Sequence, residues 1–423
     1  FVLNLIADYP VSYPVAFDME DSTQGNLSKA ELAAIANAFC KRISAAGYYP
    51  IIYANENWLN NKLDMSQMNY PVWVARYSAR YTWQNPVMWQ ATSSGSVKGI
   101  NGNVDIDFQF KDFTSVIPAN TWRTINGKRY YYANYEKQKN AWAQDVNDWY
   151  YMDKDGLAST GWITVADARY YLDTTTGKMQ TGWQSENGKW YYLGSSGAVK
   201  KGWISDNGTW YYTGNDGAMQ TGWIEVSGKR YYLENSGKMV TGWTNQNGKW
   251  YYLGSSGDLL KGWINDGGTW YYSNNEGVMQ TGWLTDAGGK YYLRGSGAMA
   301  IGWRQLDGAW YYFNTSGYRQ TGWVRVDRQW YYLNGDGVMT SGWQFVNGAW
   351  YYLNGSGEMQ TGWQYVGNKW YYLDSNGVMQ TGWKQIGGQW YYLNGKGEMT
   401  TGWQSIGGRW YYLGGNGVMY ANT

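Results

Sequence analysis

Two aromatic runs separated by a short polar turn recur along most of the chain. In the stretch GWISDNGTWYY, Asn207 and Gly208 separate the runs, and an Asn-Gly pair in this setting is a strong signal for a two-residue hairpin turn. With that turn, Trp203 pairs with Tyr212. Because paired residues share a face and faces alternate along a strand, Trp203, Trp210 and Tyr212 are predicted on one side of the hairpin.

The opposite face of each hairpin is predicted to join its neighbours. Ile204 and Tyr211 lie on it, and Tyr211 with its equivalents is interpreted as core. The following segment, GNDGAMQTG, supplies glycines for a return turn and Met219 for packing. Gly-Trp recurs up to Trp403, with a strict period of twenty residues after Trp183. This period indicates an all-β solenoid in which each hairpin buries its apolar face against the next.

The Trp-Trp-Tyr face has more indole and phenol rings than a core requires. Three electron-rich rings around a small gap attract a quaternary ammonium group, by roughly 0.5 to 2 kcal/mol per ring. We therefore favour a cation-binding cage over a plain aromatic core. The predicted trios are Trp183, Trp190, Tyr192; Trp203, Trp210, Tyr212; Trp243, Trp250, Tyr252; Trp263, Trp270, Tyr272; Trp303, Trp310, Tyr312; Trp323, Trp330, Tyr332; Trp343, Trp350, Tyr352; Trp363, Trp370, Tyr372; Trp383, Trp390, Tyr392; and Trp403, Trp410, Tyr412.

The run TGWQYVGNKWYYLDSNGVMQTGW, residues 361–383, resembles the choline-binding, or cell-wall-binding, repeats of Gram-positive surface proteins and phage lysins. The likeness extends from about Thr121 to Tyr420. It implies a superhelix of β-hairpins that holds choline between successive units, with the phosphocholine of teichoic acids as the target. It also implies an extracellular, wall-associated protein of a Gram-positive bacterium or its phage, and a choline-dependent dimer as in some relatives.

Several repeats depart from this pattern. Arg169, Arg230 and Lys290 replace the second tryptophan, and a fixed cation there repels a ligand cation. We expect those sites to be empty or structural. The stretch 122–156 is degenerate and is interpreted as the entry cap of the solenoid. The usual methionine is replaced by Val199, Leu259 and Arg319.

The first hundred residues lack the aromatic repeat and have a different pattern of apolar and polar residues. The segments YPVAFDMED, YYPIIYA, YPVWVARY, PVMWQATSS and NVDIDFQF are strand-like, and NENWLNNKLD is a short helical segment. Ser28 and Glu31 form a capping-box signature before a helix that ends at Gly47. Strands that alternate with helices predict a parallel sheet or barrel. The predicted buried face of the helix comprises Leu32, Ile35, Phe39 and Ile43.

Asp18 and Glu20 stand at the end of the first strand-like segment. Two residues apart on a strand, they point to the same side with Cα atoms about 6.5 to 7 Å apart. Two carboxylates this close repel, so one tends to keep its proton, which suits glycosidic cleavage. The alternative is a pair of solvent-exposed acidic residues at a strand end.

The order YPVAFDMED, GYYPIIYAN, YPVWVARY and MWQATSSGSVKGINGNVDIDF resembles the latter part of the glycoside hydrolase family 25 muramidases. The resemblance implies that Glu20 is the proton donor, Asp18 its companion carboxylate and Asp105 the acidic residue on the last strand. The substrate would be the bond between N-acetylmuramic acid and N-acetylglucosamine in peptidoglycan glycan strands. Residues facing the saccharide cleft would be Tyr53, Trp73 and Gln90.

The family's barrel opens with strands, and with a further catalytic aspartate, that lie before the segment matched by this chain. We therefore expect a partial (β/α) barrel that does not close and, unless the natural protein supplies the missing strands, cleaves no glycan.

Composition excludes several other classes. The net charge is +2, and the sequence contains no extended cluster of basic residues. This argues against nucleic acid and anionic membrane partners. Histidine is absent, so histidine-dependent nucleophiles and histidine metal sites are excluded, and no metal or cofactor is expected. Cys40, the single cysteine, is interpreted as a buried helix residue. No apolar run approaches the roughly 20 residues of a membrane span.

The sequence therefore predicts an α/β partial (β/α) barrel over residues 1–112, a linker over 113–120 and an all-β hairpin-repeat solenoid over 121–423. The predicted function is that of a cell-wall-targeted muramidase anchored by choline. A non-enzymatic choline-binding surface protein and a glucan-binding module, in which sugar rings stack on flat aromatic platforms, are the alternatives.

Overall fold

The computed structural model describes residues 1–420. The chain forms two compact units, Phe1–Gln220 and a second unit that begins at Thr221. The first unit contains an α/β region followed by five hairpins, and the second contains ten hairpins among the described residues. Along the described part of the chain, no helix has the length and hydropathy needed to cross a membrane.

A five-stranded sheet forms the α/β region. Its order is β1-β2-β3-β4-β5, with β1 to β4 parallel and β5 antiparallel to β4. β1 and β5 are the two edges, so the predicted α/β class is present but a barrel is not confirmed. The strands are β1 (Val15–Asp18), β2 (Pro50–Asn55), β3 (Val72–Ala75), β4 (Met88–Gly95) and β5 (Val104–Gln109). The helices are α1 (Val2–Ile6), α2 (Lys29–Ala45) and α3 (Glu56–Asn61), with 3-10 turns at Ser22–Gln24, Met65–Gln67 and Phe113–Ser115.

Helix α2 begins as its sequence predicts. The Ser28 hydroxyl accepts the Glu31 backbone N–H, and the Glu31 carboxylate accepts the Ser28 N–H at 2.8 Å. The predicted buried face is wrong at one position, because Ile35 is 42% exposed. Small side chains allow the helix to approach the sheet closely, so the buried face runs through Leu32, Ala33, Ala36, Cys40 and Ile43.

The rest of the chain forms antiparallel hairpins, and each takes its name from the tryptophan in its first strand. The Trp122 hairpin has a short third strand, Glu136–Lys137. The paired strands are Thr121–Ile125 and Lys128–Ala133; Ala141–Asp145 and Asp148–Met152; Gly161–Val165 and Ala168–Leu172; Gly182–Glu186 and Lys189–Leu193; Gly202–Asp206 and Thr209–Thr213; Gly222–Val226 and Lys229–Leu233; Gly242–Gln246 and Lys249–Leu253; Gly262–Asp266 and Thr269–Ser273; Gly282–Asp286 and Gly289–Leu293; Gly302–Leu306 and Ala309–Phe313; Gly322–Val326 and Gln329–Leu333; Gly342–Val346 and Ala349–Leu353; Gly362–Val366 and Lys369–Leu373; Gly382–Ile386 and Gln389–Leu393; and Gly402–Ile406 and Arg409–Leu413.

The predicted hairpin turn and register are confirmed. Asn207 and Gly208 have φ values of 48° and 77°, which are the two positive angles that a type I′ turn requires. Trp203 lies opposite Tyr212. The same pairing recurs in the other hairpins with a period of twenty residues after Trp183.

The first hairpin packs on the α/β region. The buried Arg123 guanidinium lies 4.1 Å from the ring centre of Tyr48 and 4.2 Å from that of Tyr132. Within the predicted linker, residues 113–120, Phe113 and Ile117 are also buried against the sheet. The linker and the first hairpin therefore share a core with the α/β region, and a domain boundary at position 121 stays a prediction.

Within each unit, many neighbouring hairpins are joined through a methionine of the return loop. The Met359 backbone N–H donates to the Trp330 carbonyl of the preceding hairpin at 2.8 Å. The Met359 side chain then lies under Gly377, which has a φ of 79°, and a Cβ at Gly377 would stand 2.5 Å from the sulfur. Glycine is therefore required at this position both by the left-handed backbone and by the methionine beneath it.

We predict that Gly377→Ala lowers the free energy of unfolding by about 1 to 3 kcal/mol, because the added methyl group must displace Met359. Gly362→Ala is the matched control, since Gly362 also has a left-handed φ, 76°, but a Cβ there meets no atom within 4 Å. Urea unfolding followed by tryptophan fluorescence measures both variants. Equal stabilities would show that the contact between glycine and methionine does not constrain the repeat.

Candidate functional site

An aromatic cage lies between consecutive hairpins. Trp343 and Trp350 stand nearly perpendicular, with ring centroids 6.5 Å apart and planes at 83°. Tyr371 of the next hairpin is 4.8 Å from Trp343. With Met379 and the loop residues 395–396, these rings surround a cavity of about 390 Å³. Two hairpins supply the rings and the methionine, and the loop of a third closes one side.

The same cage is present at other interfaces. Cavities of about 240 and 480 Å³ lie at the Trp323 and Trp263 hairpins. The first is lined by Trp323, Trp330, Tyr351 and Met359, and the second by Trp263, Trp270, Tyr291 and Met299. The spacing of the four side chains is identical in all three cages, so the repeat itself builds the site.

The third ring of the cage is not the predicted one. Tyr352 pairs with Trp343 across the hairpin and contacts its ring at 5.1 Å, but the cavity is lined by Tyr371. The first tyrosine of each Trp-Tyr-Tyr run faces the preceding hairpin's tryptophan, and a single hairpin sequence does not show which neighbour supplies the ring. The tyrosines that pair within their own hairpins are Tyr192, Tyr212, Tyr252, Tyr272, Tyr312, Tyr332, Tyr352, Tyr372, Tyr392 and Tyr412.

The tyrosines that complete the cages are the ones that the sequence pattern predicts to be core residues, Tyr211 and its equivalents. They lie 4.7 to 5.0 Å from the first tryptophan of the preceding hairpin. These residues are Tyr211, Tyr271, Tyr291, Tyr331, Tyr351, Tyr371, Tyr391 and Tyr411.

One predicted trio is open, and one cage was missed. Trp403 and Trp410 are 66% and 68% exposed, and no hairpin follows them among residues 1–420. Conversely, Trp142 and Trp149 share one face of their hairpin. Trp142 lies 4.8 Å from Tyr170 of the next hairpin, and Met179 donates its N–H to the Trp149 carbonyl at 2.8 Å. The spacing of the two tryptophans in AWAQDVNDW equals that in the other cages and could have predicted this one. The irregular turn and flanking sequence obscured the likeness.

In other interfaces the protein's own cation takes the place of the second tryptophan. The Arg169 guanidinium lies 4.2 Å from the ring centre of Trp162 and 5.0 Å from that of Tyr191, and it forms an ion pair with Glu186. Burial acts to lower the pKa of Arg169, but the Glu186 carboxylate outweighs it and raises the pKa above its ordinary value. A permanent cation therefore fills this cage, as the sequence prediction of a structural site implies.

Two further arginines lie over tryptophans in the same way. Arg129 stands 4.3 Å from the ring centre of Trp122, and Arg230 stands 4.7 Å from that of Trp223. In each described cage with a second tryptophan, a methionine N–H donates to that residue's carbonyl. Where arginine or lysine replaces the tryptophan, the donor is instead Ala158, Val199, Leu259 or Arg319. The residue that replaces the second tryptophan and the residue that replaces the methionine thus change together in these four interfaces.

The Trp263 cage has an additional ring. Tyr318 lines its cavity and lies 4.8 Å from Tyr291. Gly289 provides the space, because a Cβ there would stand 2.2 Å from the Tyr318 ring. Burial, with a hydrogen bond to Tyr318, raises the pKa of Tyr291 to about 12, so its phenol stays neutral at physiological pH.

The predicted catalytic carboxylates lie at the carboxyl edge of the sheet. Asp18 is the last residue of β1 and is exposed, and its carboxylate accepts the Glu20 N–H at 3.2 Å. The Glu20 carboxylate in turn accepts the Asn55 N–H at 2.6 Å. Burial and then the Glu20 carboxylate raise the pKa of Tyr53, so its hydroxyl stays protonated beside these acids.

The other predicted cleft residues extend along the same edge. Tyr53 donates its hydroxyl to the Gln90 Oε1 at 2.8 Å and packs 4.9 Å from Trp73. The acidic residue that contacts this group is Asp107, which accepts the Trp73 Nε1–H at 2.9 Å. Burial raises the pKa of Asp107. Asp105 lies two residues away on the same face of β5, and the hydrogen bond from Trp73 makes Asp107 the stronger candidate.

No group of three or more side chains of the kinds that bind metals lies together within residues 1–420. Cys40 is fully buried in α2, and burial raises the pKa of its thiol to about 12. It is therefore a core residue rather than a nucleophile.

Different family models match the α/β region and the hairpin repeats. The choline-binding repeat model matches residues 180–220, 220–261, 260–302, 300–341, 320–361, 339–381 and 380–423. The chain belongs to the choline-binding repeat family. A cell wall binding repeat model matches residues 140–158 and 160–179, and the glycosyl hydrolases family 25 model matches residues 1–100. The predicted resemblance is thus confirmed for both parts of this choline-binding repeat protein.

Individual relatives each cover part of the chain. Choline binding protein F of Streptococcus pneumoniae is 34% identical, with 52% of this chain and 92% of that chain covered and a TM-score of 0.39. The modular autolysin LytC of the same species is 30% identical, with 53% and 52% covered and a TM-score of 0.40. The curated protein YegX of Escherichia coli O157:H7, which is uncharacterized, is 31% identical over 102 residues, or 22% of this chain. This chain spans about a third of YegX, 36% of its length.

We predict that Arg169 and Glu186 stabilise their interface by a coupling energy of about 1 kcal/mol, because the ion pair is partly shielded and the guanidinium also contacts two rings. A double-mutant cycle with Arg169→Gln and Glu186→Gln, read by urea unfolding, measures it. Lys154 and Asp155 form an exposed control pair at 3.2 Å, for which we expect a coupling near zero. Equal couplings would mean that the caged arginine adds nothing specific.

Proposed function

We propose that the repeats bind choline on cell-wall teichoic acid and hold a family 25 muramidase domain against peptidoglycan. The family matches support the coarser assignment, a glycosidase targeted to the cell wall. The Trp-Trp-Tyr-Met cage, with its cavity between hairpins, carries the choline assignment. The family 25 match and the carboxylates at the sheet edge support the muramidase assignment.

The cage suits a quaternary ammonium group for a physical reason. Trimethylammonium donates no conventional hydrogen bond, so the rings attract it through their electron-rich faces and exclude water from its methyl groups. Met379 adds a polarizable sulfur to one wall of the Trp343 cage. Trp350 remains 43% exposed, which leaves an opening for the phosphate and the polymer that carry the choline.

Ring orientation favours choline over glucan. A sugar stacks flat on an aromatic platform, but the planes of Trp343 and Trp350 meet at 83°. One pyranose ring therefore cannot lie flat on both. Perpendicular walls instead surround a compact, roughly spherical cation.

Repetition converts weak sites into firm attachment. A polymer with many choline groups engages several cages of one chain, and each later contact is intramolecular. We place the protein outside the cell, on the wall of a Gram-positive bacterium or on a wall attacked by its phage. Choline-dependent dimerisation is part of this proposal.

In the hydrolytic step we assign Glu20 as the proton donor to the leaving oxygen and Asp18 as the companion carboxylate. The Asn55 N–H holds one Glu20 oxygen at 2.6 Å, which fixes the carboxyl group at the sheet edge. Trp73 and Tyr53 supply an aromatic surface on which a sugar ring can rest. Asp107 extends the acidic edge on the last strand.

Titration calorimetry with choline, beside a soluble glucan, tests the attachment. We predict saturable choline binding and no glucan binding, and Trp350→Ala should remove one site because it opens one wall of the Trp343 cage. Trp410→Ala is the matched control and should leave the number of sites unchanged. Binding heat with glucan and none with choline would indicate that the aromatic faces are platforms for sugar rings.

Release of reducing ends from purified choline-containing walls tests the hydrolysis. In a protein that also carries the first barrel strands and their aspartate, we predict that Glu20→Gln lowers the rate at least about 100-fold, because an amide cannot supply the proton. Glu136→Gln, at an exposed residue of the first hairpin, should leave the rate unchanged. A protein with the complete barrel that binds walls but releases no reducing ends would support the alternative, a non-enzymatic choline-binding protein.

A further inference from the structure

The cage filled by Arg169 shows where a caged cation meets a carboxylate. Its guanidinium contacts the rings of Trp162 and Tyr191 and pairs with Glu186. Glu186 is the last residue of the first strand in the following hairpin, Gly182–Glu186. The position of the Arg169 guanidinium therefore indicates that a cation in the cage lies within ion-pair distance of a carboxylate at the end of this strand.

Three open cages have an acidic residue at the same strand-end position. Asp206, Asp266 and Asp286 end the strands that follow the Trp183, Trp243 and Trp263 hairpins. Each carboxylate accepts the indole N–H of the first cage tryptophan, at 3.2, 3.0 and 2.8 Å respectively. These hydrogen bonds hold the carboxylates beside the ring that forms one wall of the cage.

Five other open cages lack this charge. The Trp303, Trp323, Trp343, Trp363 and Trp383 cages have aliphatic residues at the strand-end position, which are Val326, Val346, Val366, Ile386 and Ile406. The contact between the first tryptophan and the next hairpin's tyrosine, and the methionine hydrogen bond to the second tryptophan, are the same in both groups. The chain therefore contains cages of one repeat pattern with and without this carboxylate, and among the first group the Trp263 cage also has the ring of Tyr318.

We propose that Asp206, Asp266 and Asp286 are counter-ions for the bound cation, so that their three cages form a tighter and salt-sensitive class of sites. The inference rests on the proposed binding of choline. A quaternary ammonium group makes no hydrogen bond to a carboxylate, so the attraction is purely Coulombic and falls as salt is added. The aliphatic cages hold the ligand by ring contacts and respond little to salt.

Calorimetric titration of the whole chain with choline tests this assignment. Unsubstituted protein at low salt should show two classes of sites that differ about three- to tenfold in affinity, and 0.5 M salt should merge them. The triple substitution of Asp206, Asp266 and Asp286 by asparagine should remove the tighter class. Asparagine keeps an oxygen that can accept the indole N–H, so this variant tests the charge and not the position of the ring.

Two further variants complete the design. Val366→Asp should add one site to the tighter class by converting the Trp343 cage. Substitution of the exposed Asp167, Asp307 and Asp336 by asparagine changes the net charge equally and should leave both classes intact.

The outcomes separate the two proposals. One class of choline sites that is unaffected by the triple asparagine variant would overturn the counter-ion role and leave choline binding in place. Loss of affinity only when the three aspartates become valine would make them positioning residues for the indole. No choline heat in any variant would overturn the proposed function itself.

Discussion

The structure of the repeats depends on one contact, the packing of a tyrosine from one hairpin against the tryptophan of the hairpin before it. An isolated two-stranded hairpin is marginally stable in water because most of its apolar surface stays exposed. The ring contact, and the backbone hydrogen bond from the methionine to the second tryptophan, bury part of that surface. The same contact also creates the gap in which a ligand can lie, so stability and binding share their residues.

Much of the local structure could be predicted from the sequence because it is encoded locally. Asn207 and Gly208 specify the turn, and the turn sets the pairing of Trp203 with Tyr212. The capping box of α2 and the burial of Cys40 were equally local inferences. The exposure of Ile35 could not be predicted locally, because the periodic pattern does not show whether the isoleucine or a neighbouring alanine faces the sheet.

The site was harder to predict than the fold because its walls come from different hairpins. Tyr352 is the second tyrosine of one Trp-Tyr-Tyr run and Tyr371 is the first tyrosine of the next. Only the stacking of hairpins decides which of them faces Trp350 across the cavity. At the sheet edge, alternation placed Asp105 and Asp107 on one face, but the contact with Trp73 selects Asp107. In both cases the missing information was the position of a neighbouring element.

Because an open cage is built from side chains at fixed offsets in successive repeats, its integrity depends on repeat length more than on repeat identity. Insertion or removal of twenty residues after position 183 would join equivalent hairpins and recreate the interface at the new junction. A change of any other length would place the wrong ring opposite each tryptophan at that junction. The gene can therefore gain or lose binding capacity by unequal recombination between repeats, one hairpin at a time, without remodelling the sites that remain.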